Sequence, residues 1–139
     1  LDGNTFMYHT ASHRALVNGA ALCSLADFAH MRHFRGMLDQ LAAVSTPTGT
    51  LLDAGLTVWT NQVANGNHSF SNVPFLLAGT AGGFLKTGQF LDVSAKKYQT
   101  QHMLNTLISA AGVRKAGGAP VDDFGDASLQ GGVLNELHV

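Results

Sequence analysis

Charge is what this chain has least of. Asp, Glu, Lys and Arg make up 12% of its 139 residues, against about a quarter in an ordinary soluble domain. So charge-poor a surface points to part of it being covered by another chain or domain. The net charge of -1 and the scattered lysines and arginines give no basic stripe, which argues against nucleic acid as a partner. No apolar run approaches the roughly 20 residues needed to span a bilayer, so a soluble chain is expected. Cys23 is the only cysteine; no internal disulfide can form, and its small apolar neighbours suit a buried structural thiol. The sequence opens at Leu1 with neither an initiator Met nor a signal-peptide pattern, which predicts a processed product or a fragment.

Several catalytic signatures are missing as well. The glycines from Gly79 to Gly88 enclose Lys86-Thr87 without P-loop spacing, no G-x-S-x-G elbow occurs, and no Glu follows His9 as a zinc protease would require.

By length the chain is a single domain, able to bury about two-thirds of its unfolded surface if it folds alone. Two short apolar runs, residues 56–60 and 74–78, are bounded by turn formers and read as strands buried on both faces. Between them, Asn61-Gln62 and residues 65–72 gather amides, hydroxyls and the imidazole of His68 into one loop. In a sheet flanked by helices, loops at the carboxyl ends of strands bind ligands, so this loop is the first candidate site.

Around that pair the pattern is α/β. Residues 5–10 suggest the end of a strand, and 15–21 a loop or short helix. Ser24, with Asp27 three residues later, resembles a capping box opening a helix over 25–44. Its stripe of Phe28, Met31, Phe34, Met37, Leu38 and Leu41 is expected in the core. His30 and His33 on that helix read as a partly exposed polar pair. Residues 89–93 read as a short edge strand. Thr100 is the expected N-cap of a helix over 101–111, with Met103, Leu104, Leu107, Ile108 and Ala111 facing the sheet and Gly112 ending it. Residues 113–139, rich in Gly and Asp, read as an irregular wrapping tail.

Two groups carry candidate chemistry. His9 and His13 are four apart, which on a helix puts both imidazoles on one face around Ser12, although lone pairs of this kind are more often structural than metal-binding. His68, with Asn61, Asn65 and Asn72 nearby, could orient an oxyanion, hold a water or complete a metal shell; equally, the Asn-Gly and Ser-Asn pairs could be plain turn formers. The loop has no acidic residue, which argues against a magnesium or calcium site built from it alone.

In order along the chain, His9-Thr10-Ala11-Ser12-His13, the stretch Gly49-Thr50-Leu51-Leu52-Asp53, the V-W-T strand, the N-H-S-x-x-N-x-P-F-L-L-A-G loop and strand, Leu85-Lys86-Thr87-Gly88 and Phe124-Gly125-Asp126 resemble the C-terminal part of the HXXSHH family of exported bacterial proteins. Arg14 stands where the motif has its last histidine. That family is similar in organisation to the alkaline phosphatase and sulfatase superfamily. The resemblance implies a three-layer α/β fold, a mainly parallel sheet flanked by helices, of which this chain is the C-terminal half. It implies an export signal and a periplasmic or extracellular location. It also implies a partner, either the missing N-terminal half that supplies the nucleophile and carboxylates or another protein chain. The site it implies has His9, His13 and His68 as ligands of a divalent metal such as zinc, and Ser12, Asn61, His68 and Asn72 as catalytic groups. Metal-assisted hydrolysis of phosphate or sulfate esters is the corresponding activity. The alternatives are a non-catalytic binding or assembly subunit of an extracytoplasmic complex, and a proteolytic fragment without an independent role.

Overall fold

The computed structural model describes residues 6–129 and 131–139. The elements in order are α1 (Tyr8–Ser12), α2 (Gly19–Ala42), β1 (Ser45–Thr46), β2 (Gly49–Thr50), α3 (Leu51–Ala54), β3 (Thr57–Thr60), β4 (Phe75–Ala78) and α4 (Thr100–Ala110), with 3-10 turns at Ser94–Lys96 and Asn135–Leu137. The chain divides into two compact units, one of residues 1–40 and 58–76, the other of 41–57 and 77–139.

The expected three-layer α/β fold is not what forms. Among the described residues the strands make two antiparallel two-stranded sheets, β1 with β2 and β3 with β4, and no large parallel sheet. A parallel pair needs a crossover of a dozen or more residues, usually a helix. Here residues 61–74 carry no helix and return the chain directly, the Thr60 hydroxyl donating to the Pro74 carbonyl at 2.8 Å. Residues 89–93 add no strand, and Phe90 is 93% exposed. The strands are not buried on both faces either: in β3 exposed and half-buried residues alternate, and Val58 and Leu76 lie open to solvent.

In the first unit α2 dominates. Its sequence contains neither proline nor a β-branched residue, so it propagates without hindrance and starts well before the expected residue 25. Ser24 is therefore inside the helix, its hydroxyl donating back to the Ala20 carbonyl instead of capping. The expected core stripe is not core: Phe28 and Met37 are exposed, and Met31, Phe34 and Leu38 only half-buried. Among the described residues of this unit the buried hydrophobics are Ala11, Cys23 and Ala26. No large apolar side chain among the described residues of this unit is fully buried. Residues 8–10 are helical, not strand; Thr5, the first residue of that expected strand, lies outside the described residues.

The second unit has the packed core. Leu85, Leu134 and Leu137 are buried, with Leu56, Leu77, Phe84, Tyr98 and Met103 against them. Thr50 and Asp53 form the capping box that starts α3. Gln99, not Thr100, caps α4, in a box closed by His102 Nδ1, while Gly112 ends the helix at a φ of 89° as expected. The buried face of α4 is its polar one, Gln101, His102, Asn105, Thr106 and Ser109, and Leu104 is exposed. Asn105 takes the Phe124 amide and donates to the Gly132 carbonyl; the Thr106 hydroxyl accepts from Leu134 N and the Ser109 hydroxyl from Val121 N. The wrapping tail has hydrogen-bonding backbone and little apolar surface, so a polar helix face is what it needs.

Candidate functional site

Both candidate groups belong to the first unit. Helix α1 carries His9 one turn before its C-cap His13, so the two rings lie on one side, their Nε2 atoms 3.2 Å apart and their planes at 62°. The Tyr8 hydroxyl, next to His9, donates to Asp27 on α2 at 3.1 Å and ties α1 to that helix. Burial, helped by Asp27, raises the Tyr8 pKa, so the hydroxyl keeps the proton this bond uses.

The loop supplies the third ring. Asn65 Oδ1 accepts from the backbone of Asn67 and Ser69, and Ala64 N donates to the Ser69 carbonyl at 2.7 Å, folding residues 64–69 into a closed turn. Gly66 meets the carbonyl of Ser12 so closely that a Cβ there would stand 2.5 Å from it. The turn is thereby seated on the end of α1, and His68, held at a φ of 60°, places its Nε2 3.3 Å from that of His13 across 55 residues of sequence.

Of the sequence-expected residues, His9, His13 and His68 are thus brought together and all are exposed. The rings are strung through His13, and among the described residues no set of three or more His, Cys, Asp or Glu side chains forms a ready-made metal cluster. Yet one Nε2 carries either one proton or one lone pair, and at His13 it faces two neighbours at once. Bonds of about 2.05 Å put the nitrogens of a tetrahedral shell about 3.3 Å apart, and the two contacts at His13 are each of that length.

The other expected groups fare differently. The Ser12 hydroxyl donates to the His9 carbonyl at 2.7 Å, which commits its proton to the helix backbone. Asn61 and Asn72 are exposed in the loop, Asn72 also at a φ of 60°. His30 lies edge-on to Tyr8 while His33 Nδ1 bonds the Ala29 carbonyl, so that pair shares no ligand geometry. Sequence reasoning missed Tyr8, Asp27 and the seating role of Gly66. The Asn65-Gly66 turn was legible, but nothing in the sequence links it to Ser12. No protein-family model, curated protein or solved structure matches the chain, so its functional reading stands on this geometry and on the sequence resemblance.

Proposed function

We propose that His9, His13 and His68 hold a divalent transition metal such as zinc, and that the chain is the histidine-bearing part of an exported hydrolase of phosphate or sulfate esters. What carries this reading is the pair of Nε2 contacts at His13, 3.2 Å to His9 and 3.3 Å to His68. The donor set fits: imidazoles suit zinc, copper or nickel, whereas magnesium and calcium call for oxygen ligands. Three protein nitrogens leave a fourth position for substrate, the pattern of catalytic zinc sites.

When bound, such a cation polarises the ester oxygen and stabilises developing negative charge. The residues themselves do the positioning. Neutral imidazoles add no charge, so the site stays cationic and attracts an anionic ester. Asn61 and Asn72 offer amide donors from the same loop as His68. Ser12 fixes the turn of α1 that carries His9 and His13. A carboxylate or nucleophile is sought on a partner chain, as the resemblance implies.

The test is elemental analysis of protein purified without chelator, together with hydrolysis assays on a panel of phosphate and sulfate esters. One equivalent of metal, lost in His13→Ala, is the expected result for the chain alone, and turnover abolished by the same substitution is expected with its partner chain present; no metal, and no turnover by the intact assembly, would remove the enzyme reading.

A second reading, a non-catalytic binding or assembly subunit, has its own support in the first unit. Leu25 and Phe28 are 55% and 65% exposed on α2, while among the described residues of the unit no large apolar side chain is buried. A helix with such a face is normally covered. Sedimentation of the purified chain that shows only monomer, with hydrolysis intact, decides against this reading.

A further inference from the structure

We propose that the loop between β3 and β4 binds the alcohol half of the substrate and that this alcohol is a sugar, its ring stacked on Phe70 and its hydroxyls taken by the loop amides. The inference rests on the metal-assisted ester reading and names the substrate class of that site.

The first observation is an absence in the sequence. Between Asp53 and Lys86 there is no Asp, Glu, Lys or Arg. Protein surfaces are ordinarily about a quarter to a third charged, and this stretch includes a loop in which no residue is fully buried. A loop that gripped an anion unaided would need Lys or Arg, and one that gripped a cation would need carboxylates. The loop itself offers no charge; what charge there is lies on the α1 side, with Arg14 next to His13 and any metal the imidazoles hold. Whatever the rest of the substrate is, the loop treats it as neutral.

The second observation is what the loop exposes. Phe70 is 77% exposed, two residues after His68. Around it in sequence, Asn61, Asn67 and Asn72 are exposed amides. A large ring left in water gains nothing for the free chain and is available to a ligand. A purely apolar ligand or docking helix would call for a continuous apolar patch, whereas here one exposed ring is flanked along the chain by exposed amides that both donate and accept hydrogen bonds. A pyranose has that same composition, a face of C–H groups and a rim of hydroxyls each able to donate and accept.

The third observation is rigidity. The Asn65 turn and the close seating of Gly66 on Ser12 hold residues 64–69, next to Phe70, before any ligand arrives. Little ordering remains to oppose binding.

The experiment is saturation-transfer NMR and affinity measurement on the zinc-loaded full chain with glucose 6-sulfate, glucose 6-phosphate, ethyl sulfate and ethyl phosphate as probes. The sugar esters are expected to bind about tenfold tighter than the ethyl esters of the same anion, an energy in the range of one aromatic contact. Phe70→Ala should erase that difference and Phe70→Trp keep it, with zinc stoichiometry unchanged in both. The sulfate and phosphate pairs tell the two anions apart. Equal affinity of sugar and ethyl esters, a preference indifferent to Phe70, or no binding of any of the four overturns the proposal. Zinc binding without sugar preference leaves the metal reading standing and removes this one. Phe70-dependent binding of methyl glucoside to a chain that takes up no zinc does the opposite.

Discussion

Gly66 lies so close to the end of α1 that a Cβ on it would stand 2.5 Å from the Ser12 carbonyl oxygen and 3.3 Å from His13 Cα. Both neighbours are backbone and cannot swing aside. Gly66→Ala must therefore lift the loop from α1, and with it the imidazole two residues on. Zinc affinity should fall by about 10- to 100-fold, as it does when groups that orient ligands are lost, and stability by about 1–3 kcal/mol from overpacking. Calorimetric titration of both proteins with zinc checks this; equal affinities would mean that the seating of the loop does not set the site.

His68 occupies the left-handed region at a φ of 60°, a conformation that costs a residue with a Cβ about 1–2 kcal/mol unless it is Asn, Asp or Gly. The position suits asparagine better than histidine, so His68→Asn should leave the metal-free protein as stable as before or up to about 1 kcal/mol more so. What the variant loses is the response to metal. Zinc at about 100 times its dissociation constant stabilises a single-site protein by about 2.7 kcal/mol, and thermal melts with and without zinc should show that gain in the parent chain alone. A variant less stable than the parent without metal would mean that the histidine is there for packing.

These two residues show where sequence reading reached and where it stopped. The strand positions, the loop between them and the three histidines were legible because turn formers and apolar runs act locally. The pairing direction was not, because residues 56–60 and 74–78 read alike in a hairpin or a parallel sheet; it is decided by a loop without a crossover helix that brings Thr60, at the end of β3, onto Pro74, just before β4. Helix α4 misled for another reason. Its apolar spacing is real, but burial went to Asn105, Thr106 and Ser109, whose partners are backbone groups of a tail with no periodicity to read.

The polar face of α4 makes its own prediction. Asn105 is fully buried and serves both the Phe124 amide and the Gly132 carbonyl. Asn105→Ala strands two backbone groups and should cost about 2–4 kcal/mol, whereas Leu104→Ser on the exposed side should stay within about 0.5 kcal/mol. Urea denaturation of the two variants gives the comparison, and the reverse order would return the apolar face to the interior.

The C-terminal end of the second unit should loosen in mild acid. His138 pairs with Leu85, lies 4.7 Å from the Phe84 ring that Arg114 also covers, and has a buried Nε2 without a partner among the described residues. Burial first, and the Arg114 charge second, lower its pKa below the ordinary 6.5. Above pH 6.5 the ring is neutral in both the docked and the released state, and the docked state has its full stability. As the pH falls from 6.5 towards the lowered value, the released chain takes up a proton that the docked one refuses, so docking weakens. The amides of Lys86 and Val139, which bond the Leu137 and Phe84 carbonyls, report the opening. After correction for the intrinsic pH dependence of exchange, their protection should drop between pH 7 and 5 in the parent chain and stay level in His138→Phe. The same drop in that variant would assign the effect to another group.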